Sequence, residues 1–113
     1  MNFVDELTVS VAPNTSGNAA LLEFETRVRK LSNAGISLSL TRDADAALKA
    51  YDELFVSLRL PGNATLHHIA CLVRHRSAID DQQILYSCEY DWRATMDALG
   101  VVEDLLEYTL EAH

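Results

Sequence analysis

The stretch "RKLSNAGISLSL", Arg29–Leu40, decides how this chain is read. An alternation of apolar and polar residues runs into a Ser-Asn-Ala-Gly corner, and a second alternation starts at once. Period-two alternation on both sides of a short glycine-containing turn is the signature of a β-hairpin. Such a corner serves either as a plain turn or as the floor of a ligand site. Before it, "LEFETRVRKL" sets Phe24, Thr26 and Val28 to one face and Glu23, Glu25, Arg27 and Arg29 to the other. After it, Ile36, Leu38 and Leu40 share a face opposite two serines.

Working outward, "LTVSV" alternates Leu7, Val9 and Val11 against Thr8 and Ser10, a half-buried strand. "APNTSGN" carries the turn chemistry of a loop. "RDADAALKAYD" has the helical propensity for one or two turns. "ELFVSLRLPG" is a strand stopped by Pro61-Gly62, and "TLHHIACLVRHR" and "ILYSCEYDW" are two more, separated by polar "SAIDDQQ". From about Ala94 the period changes to three and four, with Met96, Leu99, Val102, Leu106 and Leu110 in a stripe beside Asp97, Glu103, Asp104, Glu107 and Glu111. This predicts an amphipathic helix over about 94–112 with its stripe buried against the barrel or against a second copy, and an acidic outer face. The fold class is mainly β: six antiparallel strands over about 7–92, curled into a small barrel, with a closing C-terminal helix.

The chain has 113 residues, enough for one domain with its own core. Apolar residues at 49% and charged residues at 23% place it among ordinary globular proteins. A net charge of −8 argues against nucleic acid or an anionic membrane as partner. The N-terminal "MNFVDEL" lacks the basic and apolar regions of a signal peptide, and no apolar run reaches the roughly 20 residues of a spanning helix. With two free cysteines this predicts a cytoplasmic setting.

No catalytic constellation emerges. His67, Cys71 and His75 would share a strand face, but the two histidines then lie about 26 Å apart, too far for one metal ion. A hairpin symmetrical about Asp80 sets Cys71 opposite Glu89 and Leu72 opposite Cys88, so the two thiols point to opposite faces. Ser32 lies in a glycine-containing turn, yet its surroundings are not a G-x-S-x-G elbow. Four glycines form no phosphate-cradling loop. The expectation is no enzyme and no metal.

The order of parts resembles the PilZ domain, a bacterial six-stranded barrel module known for binding cyclic di-GMP. Its turn motif, Asp/Asn-x-Ser-x-x-Gly, aligns with Lys30-Leu31-Ser32-Asn33-Ala34-Gly35. "CLVRH" matches a family strand of apolar-x-Val-x-Arg type, and "SCEYDW" matches the later Gly-Cys-x-Phe strand. The likeness runs from about Leu7 onward. The family's nucleotide binders carry an Arg-x-x-x-Arg arm whose guanidinium groups stack on guanine and pair with phosphates. Here no Arg or Lys precedes Arg27, and Lys30 replaces the acceptor of the turn.

The resemblance therefore implies a degenerate member: a non-catalytic signalling adaptor acting through protein partners such as a kinase, a pilus or a motility component, or through a second copy at the C-terminal helix. No cofactor is expected. The alternative is an atypical cyclic di-GMP site formed by Arg27, Arg29, Lys30, Ser32, Asn33 and Gly35, with a partner supplying the missing arginines. On the first reading Gly35 and Asn33 serve only the positive φ of a tight turn, and Arg27, Arg29 and Lys30 are solvated companions of Glu23 and Glu25.

Overall fold

The structure, a computed structural model, describes residues 7–13, 23–32, 34–60, 62 and 65–111, apart from the side chains of residues 110 and 111. Strands β1 (Thr8–Pro13), β2 (Phe24–Leu31), β3 (Gly35–Thr41), β4 (Glu53–Leu58), β5 (His67–Ala78) and β6 (Gln83–Tyr90) close into an antiparallel barrel in the order β1-β2-β3-β6-β5-β4. Closure leaves no strand with a free edge, which removes the template for edge-to-edge aggregation. Helix α1 (Arg42–Leu48) follows β3, and helix α2 (Ala98–Glu111) follows a 3-10 turn at Trp92–Ala94.

The alternation read from the sequence becomes the inside and outside of the barrel. Val9, Val11, Val28, Leu38, Leu54, Val56, Ile69 and Tyr86 fill the interior. Each aliphatic side chain so buried stabilises the fold by about 1.5–3 kcal/mol before entropy is counted. Helix α1 closes one end with Ala44 and Leu48. The Thr41 side chain accepts from the Ala44 N–H at 3.2 Å, capping its first turn.

Two bulges change the phase of the outer face. Arg29 is the extra residue between Val28, opposite Leu38, and Lys30, opposite Ser37. Arg74 is the extra residue between Val73, opposite Cys88, and His75, opposite Ser87. Each bulge turns the following side chain to the face its parity would forbid. Arg76 consequently points inward, with its guanidinium 4.7 Å over the Tyr86 ring, while the Tyr86 hydroxyl donates to Asp45 Oδ1 at 2.5 Å and ties α1 to the barrel. His75 is exposed, so it does not share the interior with His67 and Cys71.

The same shift overturns the expected cysteine geometry. Cys71 lies opposite Tyr90 and Cys88 opposite Val73, and both thiols are buried in the interior rather than on opposite faces. They are diagonal neighbours and both are free.

Helix α2 also differs from expectation. It begins at Ala98, because the chain after β6 is held out of helix. The Asp91 side chain caps the 3-10 turn, Thr95 is extended, and Asp97 sits at φ 53°. The Thr95 hydroxyl accepts from the Ala70 N–H at 3.0 Å and donates to the Asp91 carbonyl at 2.7 Å, filling the place of a neighbouring strand beyond the end of β6. The face packed on the barrel is Val101 and Leu105, not the stripe of Met96, Leu99 and Leu106, which is exposed. Val102 is half-buried, and the Leu110 side chain lies outside the described residues. Asp104 meets buried His67 with Oδ2 2.7 Å from Nε2, anchoring α2 where β5 begins.

Gly35 is required for a reason other than turn conformation. Among the described residues the only glycine at positive φ is Gly62. A Cβ on Gly35 would instead meet the Cys88 carbonyl oxygen at 2.3 Å, on the strand paired with it. Gly35→Ala alone is therefore expected to cost about 1–3 kcal/mol in urea melts, since backbone must move to admit one methyl group. Lys30→Ala, on the exposed face, is expected within about 0.5 kcal/mol of wild type. Equal losses in the two variants would refute this packing.

Candidate functional site

The corner between β2 and β3 opens onto a shallow depression of about 280 Å³ on the outer face. Lys30, Ser32, Gly35 and Ser37 form one side, and Arg74, Ser87 and Glu89 the other. The register of β3 on β6 sets Gly35 opposite Glu89 and Ser37 opposite Ser87, so strands distant in sequence build one surface.

The turn is closed by its own polar groups. The Ser32 N–H donates to the Gly35 carbonyl at 3.0 Å. The Ser32 hydroxyl accepts from the Ala34 and Gly35 N–H groups, each at 3.2 Å, and donates to the Gly35 carbonyl at 3.2 Å. The Tyr90 hydroxyl donates to the Ser32 carbonyl at 2.8 Å, and the Tyr90 N–H to the Ala34 carbonyl at 3.3 Å. The Ser32 bonds close the turn on itself, and the two Tyr90 bonds tie it to β6.

The charges divide by position. Arg74 is engaged by Glu89 across the strand pair through both Nε and Nη2. Its cation is thus matched within the depression by a carboxylate that opposes a further anion. Arg27, Arg29 and Lys30 are exposed, and among the described residues none of them forms an ion pair, with Glu23 and Glu25 or otherwise.

Of the six residues singled out in the sequence, Lys30, Ser32 and Gly35 line the depression. Arg27 and Arg29 stand on β2 outside its lining, and Asn33 lies outside the described residues. Arg74, Ser87 and Glu89 were not anticipated. Their signal lies in the pairing of β6 with β3 and β5, which local alternation does not carry. The described residues hold no group of three or more His, Cys, Asp or Glu side chains placed to share a metal ion. No helix among them is long and apolar enough to cross a membrane.

The family model of the PilZ domain matches residues 6–109. The chain belongs to the PilZ domain family. No match was found among curated proteins or among solved structures. Membership makes this a module of cyclic di-GMP-related signalling, in a family of binding and adaptor domains that are in general not catalytic.

In this PilZ barrel the thiols beneath the depression are poor nucleophiles. Burial pushes the Cys88 thiol from its ordinary 9.0 up to about 12, with Arg76 opposing the rise. Burial, and then the neighbouring Cys88 and Asp91, push Cys71 up as well. A raised pKa leaves almost no thiolate near neutrality, and thiolate is the reactive form. An aromatic disulfide reagent at pH 8 is expected to label neither cysteine in the native protein and both in denaturant. Rapid native labelling of either would contradict their burial.

Proposed function

We propose that this PilZ domain is a non-catalytic signalling adaptor that works by binding a protein, and that it does not bind cyclic di-GMP by itself. The observation that supports this reading most is that the corner's polar groups are already engaged. The Ser32 hydroxyl makes three contacts inside its own turn, and the one arginine lining the depression is held by Glu89. Lys30 stands where the family motif has an acceptor, and residues 1–26 contain no Arg or Lys to clamp guanine or phosphate. A net charge of −8 adds long-range repulsion of a dianion. The setting that fits is the bacterial cytoplasm, with a kinase, a pilus or a motility component as partner.

A second reading keeps cyclic di-GMP as ligand. It is favoured by the exposure of Arg27, Arg29 and Lys30, which form no ion pair among the described residues. Three cations on one bulged strand supply charge, but the depression beside them also presents Glu89.

Isothermal calorimetry of this chain with cyclic di-GMP separates the two. The adaptor reading predicts no complex at low micromolar nucleotide. A tight complex with one or two nucleotides per chain, weakened by Arg27→Ala and Lys30→Ala, would establish the second reading.

A further inference from the structure

Helix α2 carries two apolar faces. At roughly 100° per residue, Leu99 and Leu106 fall on one line of the helix while Val101 and Leu105 fall on the opposite side. The second pair is buried against the barrel. The first pair faces outward, Leu99 79% and Leu106 39% exposed, and Met96 just before the helix is 88% exposed. A surface helix that has buried one stripe ordinarily turns polar residues to water.

A second hollow lies beside the start of α2. It is a depression of about 700 Å³ across the outer faces of β1, β4 and β5. Pro13, Phe55, Leu66 and Val101 contribute apolar walls, and Met96 stands on its rim. Leu66 is itself 44% exposed. Met96, exposed on the rim of the hollow, precedes Leu99 by three residues, so the hollow and the stripe lie near the same end of α2. The flexible thioether of Met96 suits a surface that must fit another side chain.

Charge selects the occupant. Glu103 and Glu107 are exposed beside the stripe, Asp97 stands at its head, and Glu23 lines the hollow. The span Ala98–Glu111 contains no Lys or Arg. A second copy would set these carboxylates against their own kind with no cation on the helix to answer them. An anionic lipid surface would be repelled in the same way. A segment with apolar residues at helical spacing and Lys or Arg on its flanks meets both features, as amphipathic helices do in apolar grooves.

We propose that the outward face of α2, together with the depression beside Met96, docks a basic amphipathic helix of a partner protein. This rests on the adaptor reading and names its surface and the chemistry of its partner. The large hollow receives an apolar anchor side chain, and Glu103 and Glu107 pair with the partner's basic flanks.

The test is fluorescence anisotropy of this chain against a labelled synthetic peptide of Leu and Lys, with Leu at helical spacing and Lys elsewhere. A scrambled peptide of identical composition is the control. Saturable binding of the helical peptide is expected, at least ~10-fold weaker for the Leu99→Ser/Leu106→Ser variant. Glu103→Gln/Glu107→Gln is expected to weaken it several-fold and flatten its salt dependence. All four positions are solvent-facing, and circular dichroism checks that each variant is folded. Three results would each overturn the proposal: no binding, equal binding of the scrambled peptide, or binding unchanged by the leucine substitutions. Self-association of wild type in sedimentation equilibrium, lost on the leucine substitutions, would assign the surface to a second copy and overturn it too. Failure here leaves the adaptor reading standing with its surface elsewhere, whereas a nucleotide complex in calorimetry overturns that reading by a separate measurement.

Discussion

The pairing of β3 with β6 is the seam on which the rest of the barrel depends. It joins strands nearly fifty residues apart, from Gly35 opposite Glu89 to Thr41 opposite Gln83. At its start the two backbones approach so closely that no Cβ fits on Gly35 against the Cys88 carbonyl. The corner that delivers the chain to this contact is held by the Ser32 hydroxyl within the turn and by Tyr90 from β6. Bringing such distant segments together costs loop entropy, so the seam needs a dense local set of bonds to hold it. The serine and glycine that match the family motif are the residues that supply this closure.

Two bulges, at Arg29 and Arg74, shape what the seam presents to solvent. They place Lys30 on the rim of the depression and set Arg74 beside Glu89. The bulge at Arg74 also sends Arg76 inward onto Tyr86, so one extra residue supplies both an outer ion pair and an inner cap. The depression consequently holds the Arg74–Glu89 pair with Lys30 beside it, rather than an open cluster of guanidinium groups. The adaptor reading rests on that pairing and on the engaged Ser32 hydroxyl.

Much of the barrel was legible from alternation alone. Val9 and Val11, Leu38 and Leu40, and Leu54 and Val56 face inward as their spacing requires, and the hairpin at Ser32–Gly35 lies where the phase breaks. The faces of Cys71 and Cys88 were not legible, because a bulge adds a residue to one strand without disturbing local composition. Helix α2 misled for a different reason. Its sequence holds two stripes at spacings of three and four, and only tertiary contacts choose Val101 and Leu105 over Leu99 and Leu106. The partnership of His67 with Asp104 was hidden likewise, since 37 residues separate the two. At the candidate site, Lys30, Ser32 and Gly35 were visible in the motif, whereas Arg74 and Glu89 arrive only through strand register.

The central claim is that the corner keeps its motif residues for folding and not for ligand. Thermal melts of wild type and Ser32→Ala, each with and without excess cyclic di-GMP, test it most directly. Loss of the Ser32 hydroxyl leaves the Ala34 and Gly35 amides without their acceptor, which is worth about 1–2 kcal/mol and lowers Tm by roughly 4 °C or more. The account predicts that drop in both the presence and the absence of nucleotide, and no shift of the wild-type Tm on adding it. A nucleotide-dependent rise in the wild-type Tm, abolished by Ser32→Ala in a variant of otherwise unchanged stability, would contradict the account.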